Sequence, residues 1–248
     1  HCVWRIPEAV AQASFAPFQG PFFDLGCGDG SYLQIFFDQV GRPSGEVYGL
    51  DPQEKELIKA EKRKMYTKVF HGTSSSIPLS DASVQTAFSN SVVEHIPDKD
   101  GTIREIARIL RPGGRYLFSA PSQNFDAHFR IRAWVDRLFG ARAAQAWVDL
   151  INKKFKHHWI QSPEQWEKDL SRHGLMMRSF RYTLSPENAA LWERFLLPSF
   201  VQHIPAKRFD WVPCSAWSRR ALMRRISQLA EPVDLADGGS VVILAEKI

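Results

Sequence analysis

Three glycines stand at alternate positions in Asp24-Leu25-Gly26-Cys27-Gly28-Asp29-Gly30, between the apolar run Phe22–Leu25 and the helical pattern Ser31–Phe37. A strand that turns through bare backbone into a helix lets a ligand approach the main chain, and the first helical N–H groups can receive an anion. The spacing is Gly-x-Gly-x-Gly, not the Gly-x-Gly-x-x-Gly of dinucleotide turns, and by itself it also fits a tight strand–helix corner. Asp51 ends a second apolar run, Glu46–Leu50, 21 residues after Gly30. A carboxylate there can accept both hydroxyls of a ribose. Three histidines could move a proton: His95 after a fourth strand, and the adjacent His157 and His158. Each reads equally as a structural or surface histidine.

The elements that must position these groups alternate. Strands are expected at 22–25, 46–50, 68–71, 84–89, 115–119, 175–184 and 240–245. Helices are expected at 31–37, 53–64 and 101–110, the last with Ile103, Ile106, Ala107 and Leu110 on one face. Pro112-Gly113-Gly114 reads as a stop between helix and strand. Ser162 and Pro163 read as the N-cap and first residue of a helix that runs to about Arg172, with Gly174 as its C-cap. Strand–helix alternation implies an α/β, doubly wound, mostly parallel sheet with helices on both faces.

Four stretches together resemble a class I S-adenosylmethionine-dependent methyltransferase. They are Asp24–Gly30, the acid Asp51, Phe88-Ser89-Asn90-Ser91-Val92-Val93-Glu94-His95-Ile96, and Leu110-Arg111-Pro112-Gly113-Gly114. The resemblance covers roughly Phe22 to Pro121 and implies a seven-stranded Rossmann-like sheet with S-adenosyl-L-methionine as cofactor. It also implies roles. Gly26, Gly28 and Gly30 would line the methionine half, and Asp24 would hold that loop and favour the amino group. Asp51 would take the ribose hydroxyls, and Pro52 would lie against the adenine. Gly72, Thr73 and Ser74 would flank the adenine edge, and the backbone at Asn90 and Ser91 would close over the amino-acid end. Thr73 stands where many relatives carry an acid, and Val84-Gln85 where they often have Phe-Asp. His95, His157 and His158 are the catalytic candidates. A related quinone-pathway family holds a divalent metal with Glu-x-x-Glu-His; here Ser91 replaces the first acid, so no required metal is expected.

The implied activity is methyl transfer to a small-molecule acceptor, on oxygen, with carbon or nitrogen as alternatives. An NAD(P)-binding oxidoreductase and a non-catalytic cofactor-binding partner protein are the competing readings. The core is expected at 1–121, 161–184 and 240–248, with a helical lid at 122–160 and an insertion at 185–239. The lid aromatics Phe125, Phe129, Trp134 and Trp147 read as lid core and suit an apolar or ring-bearing acceptor.

Composition fits these readings. The chain has 248 residues, 44% hydrophobic and 24% charged, which excludes a disordered chain. No uncharged apolar run reaches the ~18 residues of a membrane span. Cys2, Cys27 and Cys214 are too few and too far apart for a disulfide framework, and a cytoplasmic setting is expected. The start on His1 reads as a partial product, and no apolar segment of signal-peptide length follows it. Of the net charge of +5, an excess of four lies between Pro186 and Ala230, where seven basic residues face three acids. With Trp192, Trp211, Trp217 and the amphipathic pattern Ser218–Leu229, this segment reads as a cap. The sharper alternative is a peripheral membrane surface for a lipid-linked acceptor. A nucleic-acid role is disfavoured because the core is not basic. A monomer or homodimer is expected.

Overall fold

The computed structural model describes residues 2–191, 193 and 235–248. Its strands are β1 (Phe22–Leu25), β2 (Val47–Asp51), β3 (Lys68–His71), β4 (Val84–Asn90), β5 (Leu110–Pro121), β6 (Leu175–Thr183) and β7 (Ser240–Lys247). They form one sheet in the order β3-β2-β1-β4-β5-β7-β6. The first five strands run parallel, and β7 runs antiparallel between β5 and β6. Strand order reverses between β1 and β4, and in such sheets ligands bind outside the carboxyl ends at that switch point. The expected α/β, doubly wound, seven-stranded class is the one observed.

The helices are α1 (Cys2–Ala13), α2 (Ser31–Val40), α3 (Glu54–Lys62), α4 (Lys99–Ile109), α5 (Arg130–Phe139), α6 (Ala141–Phe155) and α7 (Pro163–Ser171). Successive strand side chains point to opposite faces, so Phe22 and Phe23 serve two different cores. Phe22 joins Phe88, Leu117 and Val242 under Phe36 and Phe37 of α2. Phe23 joins Ala87, Phe118 and Ile243 against Ile103 and Ile106 of α4 and Trp166 of α7. A sheet covered on both faces explains why all four residues of β1 are buried.

Several boundaries differ from the sequence reading. β5 begins at Leu110, which pairs with Val84 before the register shifts, so Pro112-Gly113-Gly114 is an irregularity inside the strand. α7 ends with Arg172 as its C-cap, and Gly174, at φ 72°, turns the chain into β6. Ser162 forms the expected cap and completes a capping box with Gln165. The sequence reading places no element before Phe22, yet α1 lies there. Pro7 inside it removes a backbone donor and hides the helix from a pattern search.

The segment read as a lid holds a helical hairpin of α5 and α6. Phe125 and Phe129 are buried in it, but Trp134 and Phe139 are 60% and 68% exposed, which corrects the expectation that Trp134 belongs to the lid core. The reason is that α5 buries none of its residues. Residues 186–191 and 193 are helical; residues 192 and 194–234 of the basic, aromatic insertion, including Ser218–Leu229, lie outside the described residues. No helix among the described residues is long and apolar enough to cross a membrane.

One buried ion pair joins the two helices under the sheet. Lys99 of α4 bonds Asp169 of α7 and also donates to Gln161, with its side chain 10% and that of Asp169 12% exposed. The Lys99 ammonium lies 4.2 Å from the Trp159 ring centroid and 5.2 Å from that of Trp166. Removing Lys99 would leave the Asp169 carboxylate with only Gln161 and the exposed Arg172, at 3.0 and 2.9 Å, as partners, so part of its burial cost would go uncompensated. Lys99→Met is therefore expected to lower the unfolding free energy by roughly 2–4 kcal/mol in a denaturant titration. Adding Asp169→Leu should recover most of that loss; a single variant as stable as wild type would contradict this account.

Candidate functional site

Beyond Leu25 the chain turns through Gly26 and Gly28, both in the left-handed region at φ 70° and 51°. The N–H groups of Gly26 and Cys27 donate to the Leu50 carbonyl at 2.8 and 3.1 Å, which pins the loop to β2. A Cβ on Gly26 would stand 2.5 Å from Val92 Cγ2. A Cβ on Gly28 would meet nothing within 4 Å, so at Gly28 the backbone conformation alone requires glycine. Gly30 is the N-cap of α2 and packs against the Tyr66 ring.

Asp51 fixes the loop from the other side. Its Oδ2 accepts the Gly28 N–H at 2.9 Å, and its Oδ1 accepts the Gln53 N–H at 2.8 Å. The carboxylate is 5% exposed and faces a cavity of about 560 Å³ at the carboxyl ends of β1, β2 and β4. Gly26, Pro52, Gly72, Thr73, Ser74 and Ser91 also line this space. Thr73 Oγ1 lies 3.3 Å from Ser75 Oγ, and Ser74 Oγ lies 2.7 Å from Thr102 Oγ1.

Four of the expected cofactor residues are not among those lining the cavity. Asp24 is buried beneath the loop, where its Oδ2 accepts the Tyr66 hydroxyl at 2.7 Å. The Asn90 side chain turns away, its Oδ1 accepting from Gln12 Nε2 and Ser119 Oγ. Gly28 and Gly30 shape the loop rather than the wall. Gln53, Ser75, Ile96, Pro97 and Asp98 line the cavity instead, though sequence reasoning did not select them. Asp98 carried a signal: it caps α4, its Oδ1 accepting the Gly101 N–H.

Burial, reinforced by nearby Asp51, pushes the Asp24 carboxyl up to about 7 against the opposing Tyr66 hydrogen bond. Burial and the same two carboxylates hold the Cys27 thiol protonated, so it is no nucleophile.

A second cavity of about 120 Å³ adjoins the first, and the two share Ser91 and His95. Trp4 and Arg5 of α1, Glu94, Phe125, Phe155 and His157 complete its wall. α1 is held over this space by Glu8, which is buried and accepts from Trp4 Nε1 at 2.8 Å, Ser91 Oγ at 3.1 Å and Ser240 Oγ at 3.0 Å. Trp4 and Arg5 escaped the sequence reading because α1 did.

Of the three histidine candidates, the fold brings His95 and His157 together, with ring centroids 5.2 Å apart. His158 is exposed and does not line the cavity; its backbone N–H donates to the Glu94 carbonyl at 2.7 Å, which aims the side chain away. Burial lowers both ring pKa values, His157 to about 4 with repulsion from His95 adding to it, so both are neutral at pH 7. Burial pushes the Glu94 carboxyl up to about 8.

Residues 23–118 match the family model described as a methyltransferase domain. The chain is 34% identical over 100 residues to a "Probable S-adenosylmethionine-dependent methyltransferase" of Mycolicibacterium smegmatis, covering 40% of this chain and 37% of that one. It is 28% identical over 170 residues to the demethylmenaquinone methyltransferase of Bacillus licheniformis, covering 65% of this chain and 68% of that one. The matched stretch spans less than half the length of the first curated relatives. A solved S-adenosylmethionine-dependent methyltransferase from Mesorhizobium loti shares the fold, with TM-score 0.60 and 19% identity over 97% of this chain and 98% of that one. The glycine turn, the carboxylate at the end of β2 and the strand order agree with these matches: residues 23–118 form a methyltransferase domain of the class I S-adenosylmethionine-dependent kind.

Proposed function

We propose that this protein transfers a methyl group from S-adenosylmethionine to an oxygen of a small, apolar or ring-bearing acceptor. The observation that carries this reading is the junction of two cavities at Ser91 and His95. The larger has the polar floor a nucleoside needs: the Asp51 carboxylate, the Thr73 and Ser74 hydroxyls and the open glycine turn. The smaller is walled by Trp4, Phe125 and Phe155 and suits a compact, largely apolar acceptor.

S-adenosylmethionine, when bound, supplies an electrophilic methyl group on a sulfonium. Transfer forms an acceptor oxygen–carbon bond, breaks the carbon–sulfur bond and leaves the electron pair on sulfur. The protein's own task is to align the acceptor with that bond and to exclude water. α1 serves both ends by roofing the acceptor space. The neutral imidazoles of His95 and His157 face the acceptor cavity and offer lone pairs toward its hydroxyl proton. A lipid-linked acceptor reaching the site from a membrane surface belongs to the same reading, through the basic segment 186–230.

Asp51 carries the binding half of the reading. Asp51→Ala is expected to weaken S-adenosylmethionine binding roughly 10- to 100-fold by calorimetry, the loss of one or two charge-assisted hydrogen bonds; unchanged affinity in a folded variant would overturn it. Asp24 gives a pH signature. Its folded-state carboxyl titrates near 7 while an unfolded aspartate titrates near 3.9. Between those values the folded chain binds the extra proton, so this residue makes stability fall as pH rises from about 4 to about 7. Asp24→Asn should flatten that slope in thermal melts between pH 5 and 8. It should also remove the gain in cofactor affinity expected above pH 7, where ionised Asp24 favours the cationic ligand.

A further inference from the structure

The wall of the smaller cavity collects three groups that can each present a lone pair: the Glu94 carboxyl and one ring nitrogen each of His95 and His157. Glu94 is 2% exposed, and its Oε2 has no hydrogen-bond partner among the described residues. His95 Nδ1 lies 3.3 Å from the Lys156 carbonyl oxygen, which can only accept, so Nδ1 carries the hydrogen and Nε2 the lone pair. His157 Nδ1 lies 3.2 Å from Asn152 Oδ1. The Asn152 amide nitrogen is turned to both carboxylate oxygens of Asp126, at 3.4 Å, so its oxygen faces His157 and must accept. His157 therefore also presents Nε2 as a lone pair.

These groups converge. His95 Nε2 stands 3.8 Å from Glu94 Oε1, and one ligand atom from each of Glu94, His95 and His157 lies within 4.8 Å of the others. The His158 N–H bond to the Glu94 carbonyl stitches the two chain segments together, so the constellation is fixed by backbone. Buried acceptors facing one another repel unless a proton or a cation lies between them, and a cation can take all three at once.

We propose that Glu94, His95 and His157 bind one divalent transition-metal ion, open toward the acceptor cavity. Two imidazoles and one carboxylate suit zinc, cobalt, iron or manganese better than magnesium or calcium, which favour oxygen shells. Lys156 and the Asn152–Asp126 pair supply the outer hydrogen bonds that orient metal-binding histidines. Arg5 also lines the cavity, but its guanidinium is paired with Glu8 at 3.1 Å. The absence of an acid at Ser91 gave the expectation of no required metal; a ligand from the segment after α6 takes that place. The site stands on its own residues, while its use rests on the proposed function: an ion there would lower the pKa of a coordinated acceptor hydroxyl, whose proton would pass to solvent water rather than to a bare imidazole lone pair.

The test is titration of chelator-stripped protein with Co²⁺, followed by visible absorption, alongside calorimetry with Zn²⁺. One ion per chain is expected, with affinity at least tenfold weaker in Glu94→Gln and in His157→Ala, while S-adenosylhomocysteine binding stays within twofold of wild type. No binding below about 100 µM, or wild-type affinity in both variants, would overturn the site. Should a variant not fold, the cobalt-loaded wild type decides: two paramagnetically shifted imidazole N–H signals support the site, and their absence refutes it. Metal binding without methyl-donor binding would sink the proposed function and leave the site standing.

Discussion

The Asp51 carboxylate holds together everything that happens at the carboxyl edge of the sheet. One oxygen takes the Gly28 N–H and the other the Gln53 N–H, so a single side chain fixes the glycine turn after β1 and the chain leaving β2. The Gly26 and Cys27 bonds to the Leu50 carbonyl hold the first turn from the same side. Gly26 and Gly28 are in conformations with a high entropic cost of ordering, and the loop buries little apolar area of its own. The same carboxylate also faces the larger cavity, so the group that builds the site is the group a ligand would meet.

A second constraint acts from the opposite side. α1 places two buried polar side chains, Glu8 and Gln12, against groups from distant elements. Gln12 bonds Asn90 and the Tyr32 hydroxyl, and Glu8 bonds Ser91 and Ser240. Buried polar groups must be paired, and pairing is directional, so this network sets the position of the helix more narrowly than apolar packing would. Through it α1 is aligned with β4, β5 and β7, and the wall of the smaller cavity follows. The functional region is thus a seam between a sheet edge and a helix that approaches it from the N-terminal end.

Much of the fold was legible because it rests on local rules. The alternation of apolar runs with Gly-punctuated helices gave the strands and most of their bounds. The Ser162 cap was readable because Ser-Pro-Glu-Gln satisfies a helix start within four residues. What escaped reading lacked a local signature. α1 carries a proline, β5 carries a Pro-Gly-Gly irregularity, and Lys99 on a charged helix gives no sign that it is buried against Asp169. Trp134 was misplaced for the same reason: an aromatic residue on an amphipathic helix reads as core, and only the neighbours decide whether anything covers it.

For the site the division is equally physical. The sequence by itself determined the glycine turn, the acid at the end of β2 and the family they mark, since these lie within short stretches at fixed spacing. It also determined which histidines were available, but not which would meet. Only the tertiary structure separated His157 from His158, sent Asn90 and Asp24 behind the wall, and brought Glu94 beside a histidine from beyond α6. Those outcomes depend on which backbone groups pair across the fold, and such pairings join residues far apart in the chain.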